Sequence, residues 1–172
     1  MTRTSRVLLA VAASGIPAAF VWLWLGSPSE WLATERGLVL TESAATGRFQ
    51  VVAVFTIIGV VLGVVAGVVV HRTTRPARWQ VVVGLAAASS AAALVCWRLG
   101  VQLGPAPPQE ATGLEVLETV PSQFAVDAIT PFLLWPLAAV LSYTLSLYLS
   151  SEGADEDDDE LDDEPLSARS QP

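Results

Sequence analysis

Four stretches of this chain, 7–25, 51–70, 79–97 and 129–149, contain no charged residue, and each is 19 to 21 residues long. The hydrocarbon core of a bilayer is about 30 Å thick, which takes about 20 helical residues at 1.5 Å each to cross. Only 15% of the chain is charged and 52% is apolar. A soluble globular enzyme and an intrinsically disordered chain are both excluded by that pattern. The expected fold is all-α: a polytopic membrane protein built as a bundle of four transmembrane helices, with spans at about 7–25, 51–70, 79–99 and 129–149. Residues 1–150 form this membrane domain, and 151–172 form a separate acidic tail.

The formal charge of −8 is unevenly distributed. Residues 152–172 hold ten acidic side chains and one arginine, so the tail carries −9 and the rest of the chain +1. The run Asp155–Glu164 is dense in like charge, and such a run cannot bury enough apolar surface to offset its ordering entropy. The tail is expected to be disordered, with a basic cytoplasmic protein as the partner its charge would suit. No nucleic-acid partner is expected. All nine basic residues are arginine.

Arginine placement sets orientation. Arg3, Arg6, Arg72, Arg75 and Arg78 lie at one end of the spans, and Arg36, Arg48 and Arg98 at the other. The positive-inside rule then puts both termini and the 71–78 loop in the cytoplasm. The first span follows Arg3 and Arg6 as a signal peptide would. Its apolar stretch is too long for an h-region, however, and Trp22-Leu-Trp-Leu25 precedes no small-residue cleavage pattern, so it is expected to be retained. Cys96 is the one cysteine, so no intramolecular disulfide can form, and a small apolar filler in a helix is its expected role. His71 is expected at the interface.

The sharpest motif is in the second span, where Gly59, Gly63 and Gly67 make a doubled G-x-x-x-G. On a helix they form one stripe along which another backbone can approach, and in lipid such close van der Waals packing drives helix association. Because the 71–78 connection is short, spans two and three are expected to be antiparallel neighbours. Counting out from that loop sets Gly63 level with Ala86 and Gly59 level with Ser90, in a small-residue stretch of span three. The alternative use of the stripe is a homodimer interface.

Arg98 lies within a long apolar run, about 28 Å of helix from Trp79, which places it near the outer interface. It either snorkels toward headgroups beside Trp97 or pairs with Asp127 or Glu118 in the second outer loop. The intramembrane polar groups are Thr56, Ser89 and Ser90, and there is no mid-membrane ionisable residue of the kind a pump needs. Pro17, after Ser14-Gly15, predicts a kink in span one. Thr130-Pro131 reads as the start of span four, and Pro136 as a bend just inside it. Leu38-Val-Leu40 in the first outer loop could be a strand or lie on the membrane surface. A lone two-stranded unit is marginal in water, so packing onto the helices is favoured. Leu114, Leu117 and Val120 predict a short amphipathic turn of helix in the second outer loop, ended by Pro121.

No catalytic set is visible: there is no Cys/His pair, H-E-x-x-H, P-loop or G-x-S-x-G. No cofactor, metal site or enzymatic activity is expected. Glu30, Glu35 and Glu42 read as solvated surface.

Pro28-Ser-Glu-Trp-Leu32, Glu35-Arg-Gly37, Thr41-Glu-Ser43 and Gly47-Arg-Phe49, followed by a Gly/Val-rich second span, resemble a group of small four-span actinobacterial membrane proteins known as a domain of unknown function. The resemblance covers about residues 5–150 and implies topology and membrane localisation, with no activity or catalytic residue to carry over. The expected function is that of a non-enzymatic plasma-membrane protein, an accessory or scaffold subunit of a cell-envelope complex. Its partners would be the lipid bilayer and either another membrane protein or further copies of itself. The rival expectation is a small-solute transporter or channel component.

Overall fold

The computed structural model describes residues 2–27, 30–34, 37–40, 43–74, 79–105, 119–121, 124, 126 and 128–162, with the strands, 43–46, 48 and 152–162 described as backbone. In chain order the elements are α1 (Arg3–Ala13), α2 (Gly15–Leu25), β1 (Glu30–Thr34), β2 (Gly37–Leu40), α3 (Ser43–Thr73), α4 (Trp79–Leu103), β3 (Thr119–Pro121) and α5 (Thr130–Asp162). Four helical stretches are long and apolar enough to cross a membrane: Arg3–Leu25, Phe49–Thr73, Trp79–Leu103 and Thr130–Ser151. At 1.5 Å per residue these are about 33–38 Å long. The expected four-span helical body is therefore present, each span reaching somewhat further than its uncharged core.

Outward-facing positions are apolar, among them Ile57, Val61, Val65, Leu94, Leu137 and Leu141. That is the inverse of a soluble bundle and matches a hydrocarbon surround. Trp24 and Phe49 are exposed at the end carrying the β-hairpin, and Trp79 and Tyr148 at the end carrying the termini. Exposed aromatics at two such levels are the pattern of interfacial belts in membrane proteins.

The first span breaks at Ser14, between α1 and α2. The Ser14 hydroxyl donates to the Val11 carbonyl at 2.6 Å, a back-bond that bends helices. Pro17 has no N–H to give the Ala13 carbonyl one turn before it. The expected kink is there, and it brings Gly15 so close to α4 that an added Cβ would strike the Ala92 carbonyl oxygen.

Neighbour relations differ from the expected hairpin of spans two and three. α3 packs most extensively on α5, while α4 packs on α1–α2 and on α5; α3 and α4 scarcely touch. Gly59, Gly63 and Gly67 meet Trp135, Ala139 and Tyr143, each partner 76 positions further along the chain. A constant offset means that spans two and four run parallel. Spans one and three do the same, with Gly84 on Leu8, Ala92 on Gly15 and Gly100 on Trp22. The connection through 74–78 reaches about 16 Å. That suffices to cross the diagonal of a bundle whose adjacent axes are 8–10 Å apart.

Two further expectations change. The loop-one strand is neither isolated nor simply laid on helices. β1 pairs antiparallel with β2, Trp31 opposite Leu40 and Thr34 opposite Gly37, and on its other edge with β3, Leu32 opposite Thr119 and Glu30 opposite Pro121. The order β2-β1-β3 draws one strand from the second inter-span segment, which supplies the third strand a hairpin lacks. Thr119 and Val120 are thus strand; the rest of the expected amphipathic turn lies outside the described residues. At the other end, α5 continues to Asp162, so the acidic segment expected to be disordered from 151 begins as a continuation of the spanning helix. An established helix propagates one hydrogen bond per residue without a new nucleation cost. Residues 163–172 lie outside the described residues.

Candidate functional site at the hairpin end

Beneath the sheet, aromatic side chains from every span converge. Trp22 of α2 lies edge-on to Phe55 of α3 at 5.1 Å and to Phe124 at 5.2 Å. Phe55 meets Phe132 at 5.2 Å and Trp135 at 5.4 Å, both on α5. Trp97 of α4 closes the layer on Phe132 at 5.8 Å. These separations fall in the range where aromatic pairs gain about 0.5–1.5 kcal/mol beyond area burial. Trp22, Phe55 and Trp135 are fully buried. The Trp22 indole N–H donates to the Val51 carbonyl at 2.9 Å, tying span one to span two.

Glycines make room for this layer. Trp135 occupies the notch at Gly59, and Trp22 the notch at Gly100; a Cβ at either glycine would fall within the ring. Phe124 covers the ends of α2 and α4, 2.5 Å from where a Cβ on Gly26 would sit and 3.0 Å from one on Gly104. The aromatic layer escaped sequence reasoning because its members are scattered from 22 to 135. The available signal was depth: each sits within about two turns of the span end nearest the hairpin.

The predicted packing residues divide. Gly59, Gly63 and Gly67 are buried at a helix interface, as a small-residue stripe should be, but the partner is span four. An added Cβ at Gly63 would stand 2.7 Å from the Trp135 carbonyl oxygen and 2.9 Å from the Ala138 Cβ. Ala86 and Ser90 do not meet the stripe. They are half-buried, and the inward positions of α4 are Val81, Leu85, Ala88, Ser89, Ala92, Ala93, Cys96 and Gly100. The small residues of span three are engaged by span one instead. Arg98 is exposed, its guanidinium carbon 5.4 Å from the centre of the Trp97 ring. Its expected partner Asp127 lies outside the described residues.

Of the three intramembrane polar candidates, two are held by their own helices. Thr56 donates to the Val52 carbonyl at 2.8 Å and Ser90 to the Ala86 carbonyl at 2.9 Å. Ser89 is buried without a hydrogen-bond partner among the described residues, as are the Trp135 indole N–H and the Tyr143 and Thr74 hydroxyls. Nearer the termini, Ser142 donates to the Val64 carbonyl at 2.9 Å and His71 Nε2 lies 3.1 Å from the Ser150 hydroxyl, so polar contacts also join spans two and four. Cys96 is buried and free, as a filler should be. No group of three or more potential metal ligands occurs among the described residues.

Grooves lie on the flanks, two of them bounded by described residues. One of about 420 Å³ lies between α4 and α5, bounded by Leu94, Trp97, Ile129 and Leu133. The other, about 290 Å³, lies between the kinked first span and α3, bounded by Pro17, Val21, Ile57 and Val61. The chain matches no family model, no curated protein and no solved structure.

Proposed function

We propose that this chain is a non-enzymatic plasma-membrane subunit, an accessory or scaffold component of a cell-envelope complex, inserted with both termini in the cytoplasm. The observation that carries this reading is the joining of the two inter-span segments at the hairpin end. β1 pairs with β2 from its own segment and with β3 from the other, above an aromatic layer contributed by all four spans. A platform ordered before it meets a partner loses less conformational entropy on binding. Among the described strands, β2 and β3 are the outer two, and an added strand is a recurrent mode of recognition. The arginine asymmetry supports an orientation with this platform outside the cell.

The rival reading, a small-solute transporter or channel component, draws on Ser89, whose hydroxyl is buried and unpartnered. It is weakened by the commitment of Thr56 and Ser90 to their own helices. Photo-crosslinking groups placed at 38 and 39 on β2, followed by recovery from native membranes, test the two together. One discrete heterologous adduct is the expected result. Self-adducts alone would make the chain a homo-oligomer. No adduct, together with solute flux in proteoliposomes, would favour the transporter.

A further inference from the structure

The groove between α4 and α5 is lined mainly by apolar side chains, and the Ser90 hydroxyl on its wall is held by the Ala86 carbonyl. Its outer walls face away from the bundle: Leu94 is 53% exposed, Leu133 57% and Ile129 73%. Leu94 and Leu133 belong to membrane-length helices and Ile129 adjoins one, so in a bilayer these walls would face hydrocarbon. Its volume of about 420 Å³ is within the range of small-molecule sites, roughly 300–1,000 Å³.

A charge next to a lining residue narrows the occupant. Trp97 lines the groove, and the Arg98 guanidinium rests over the Trp97 ring at 5.4 Å. The same indole therefore borders the apolar slot and carries the Arg98 guanidinium against its ring. Arg98 lies within five residues of the end of α4 at Leu103, near the level expected of headgroups. A planar guanidinium can grip a phosphate with two parallel hydrogen bonds. A neutral acyl chain would use the groove and leave the cation idle, and a free phosphate would use the cation and leave the groove empty. One molecule uses both.

We propose that this groove is a binding site for an anionic phospholipid of the surrounding leaflet, with an acyl chain between α4 and α5 and the headgroup phosphate on Arg98. The site is separate from the sheet edge assigned to protein partners. Its existence does not depend on the scaffold reading.

The test uses the full chain in nanodiscs of phosphatidylcholine with a minor fraction of phosphatidylglycerol. Lipids retained after gentle extraction are identified by native mass spectrometry. The wild type should retain phosphatidylglycerol over phosphatidylcholine about five-fold beyond their bulk ratio, the size expected of one basic residue near a lipid surface. Arg98→Gln should bring that preference to parity, and Arg98→Lys should restore part of it. Leu133→Trp and, independently, Leu94→Trp fill the groove from opposite walls at exposed positions, and each should lower retention of both lipids. An excess of inorganic phosphate should not displace the bound lipid. A preference that survives Arg98→Gln, retention that survives both tryptophans, or release by phosphate alone would each overturn the assignment.

Discussion

Gly59 and Trp135 fit as notch and wedge: the indole of one membrane helix lies where a side chain on the other would begin. The pair therefore constrains both partners in size. Gly59→Ala should destabilise the protein by about 1–3 kcal/mol, the usual cost of overpacking, read as a lower melting temperature in mild detergent. Combining it with Trp135→Phe should recover part of the loss. Additive losses would show that the two sites are not coupled.

Further along the same stripe, Gly63→Leu should separate spans two and four. A Cβ there already meets the Trp135 carbonyl and Ala138, and a leucine adds three more heavy atoms. Introduced cysteine pairs at 66 and 142, on a Cys96→Ser background, should crosslink efficiently in the parent and poorly in the variant. Unchanged stability combined with loss of a dimer band would mean that the stripe works between molecules.

Trp22 offers a graded test of the aromatic layer. Trp22→Phe removes the N–H donated to the Val51 carbonyl and should cost about 1 kcal/mol. Trp22→Ala also empties the space over Gly100 and should cost about 3–5 kcal/mol. If both variants melt together, the hydrogen bond and not the packing holds the layer.

Much of this was legible in the sequence, and the misses share a cause. Span number, span ends, the kink at Ser14 and Pro17 and the packing role of Gly59, Gly63 and Gly67 all follow from local pattern and backbone chemistry. The partner of the stripe does not. Loop length favoured span three, but small residues are ambiguous about what they face: a run of alanines accepts a helix backbone, whereas a glycine notch fits a large ring better. The decisive residue, Trp135, lies 76 positions from Gly59, and a chain read locally has no means of pairing them. The sheet was half-legible for the same reason. Leu38-Val-Leu40 looked extended, but its partner β1 is completed by Thr119–Pro121 in a distant segment.

Orientation can be tested by labelling introduced cysteines in intact cells, again on Cys96→Ser. A membrane-impermeant reagent should label positions 34 and 112 and should spare 72. Position 72 is a better inner reporter than 74, because Thr74 is buried and would be spared on either side. Labelling at 72 in intact cells would invert the topology.

For the acidic tail, truncation of 152–172 should leave insertion and melting temperature unchanged. The helical stretch to Asp162 carries carboxylates at i,i+3 and i,i+4 spacings, which disfavour helix by a few tenths of a kcal/mol per pair. A large fall in stability would make the tail part of the fold.

The parallel pairing of spans one with three and two with four has a consequence for biogenesis. A chain that has emerged only as far as Thr73 holds two helices whose main interfaces are still untranslated. The stripe of Gly59, Gly63 and Gly67 then borders lipid, and so does the notch-seeking ring of Trp22 until Gly100 arrives. Such an intermediate cannot mature hairpin by hairpin. It must wait in the bilayer, or at the insertion machinery, until residues as late as Tyr143 have been made. Ribosome stalling after span three should therefore yield a product that is inserted yet readily digested by protease, and release of span four should bring resistance in a single step.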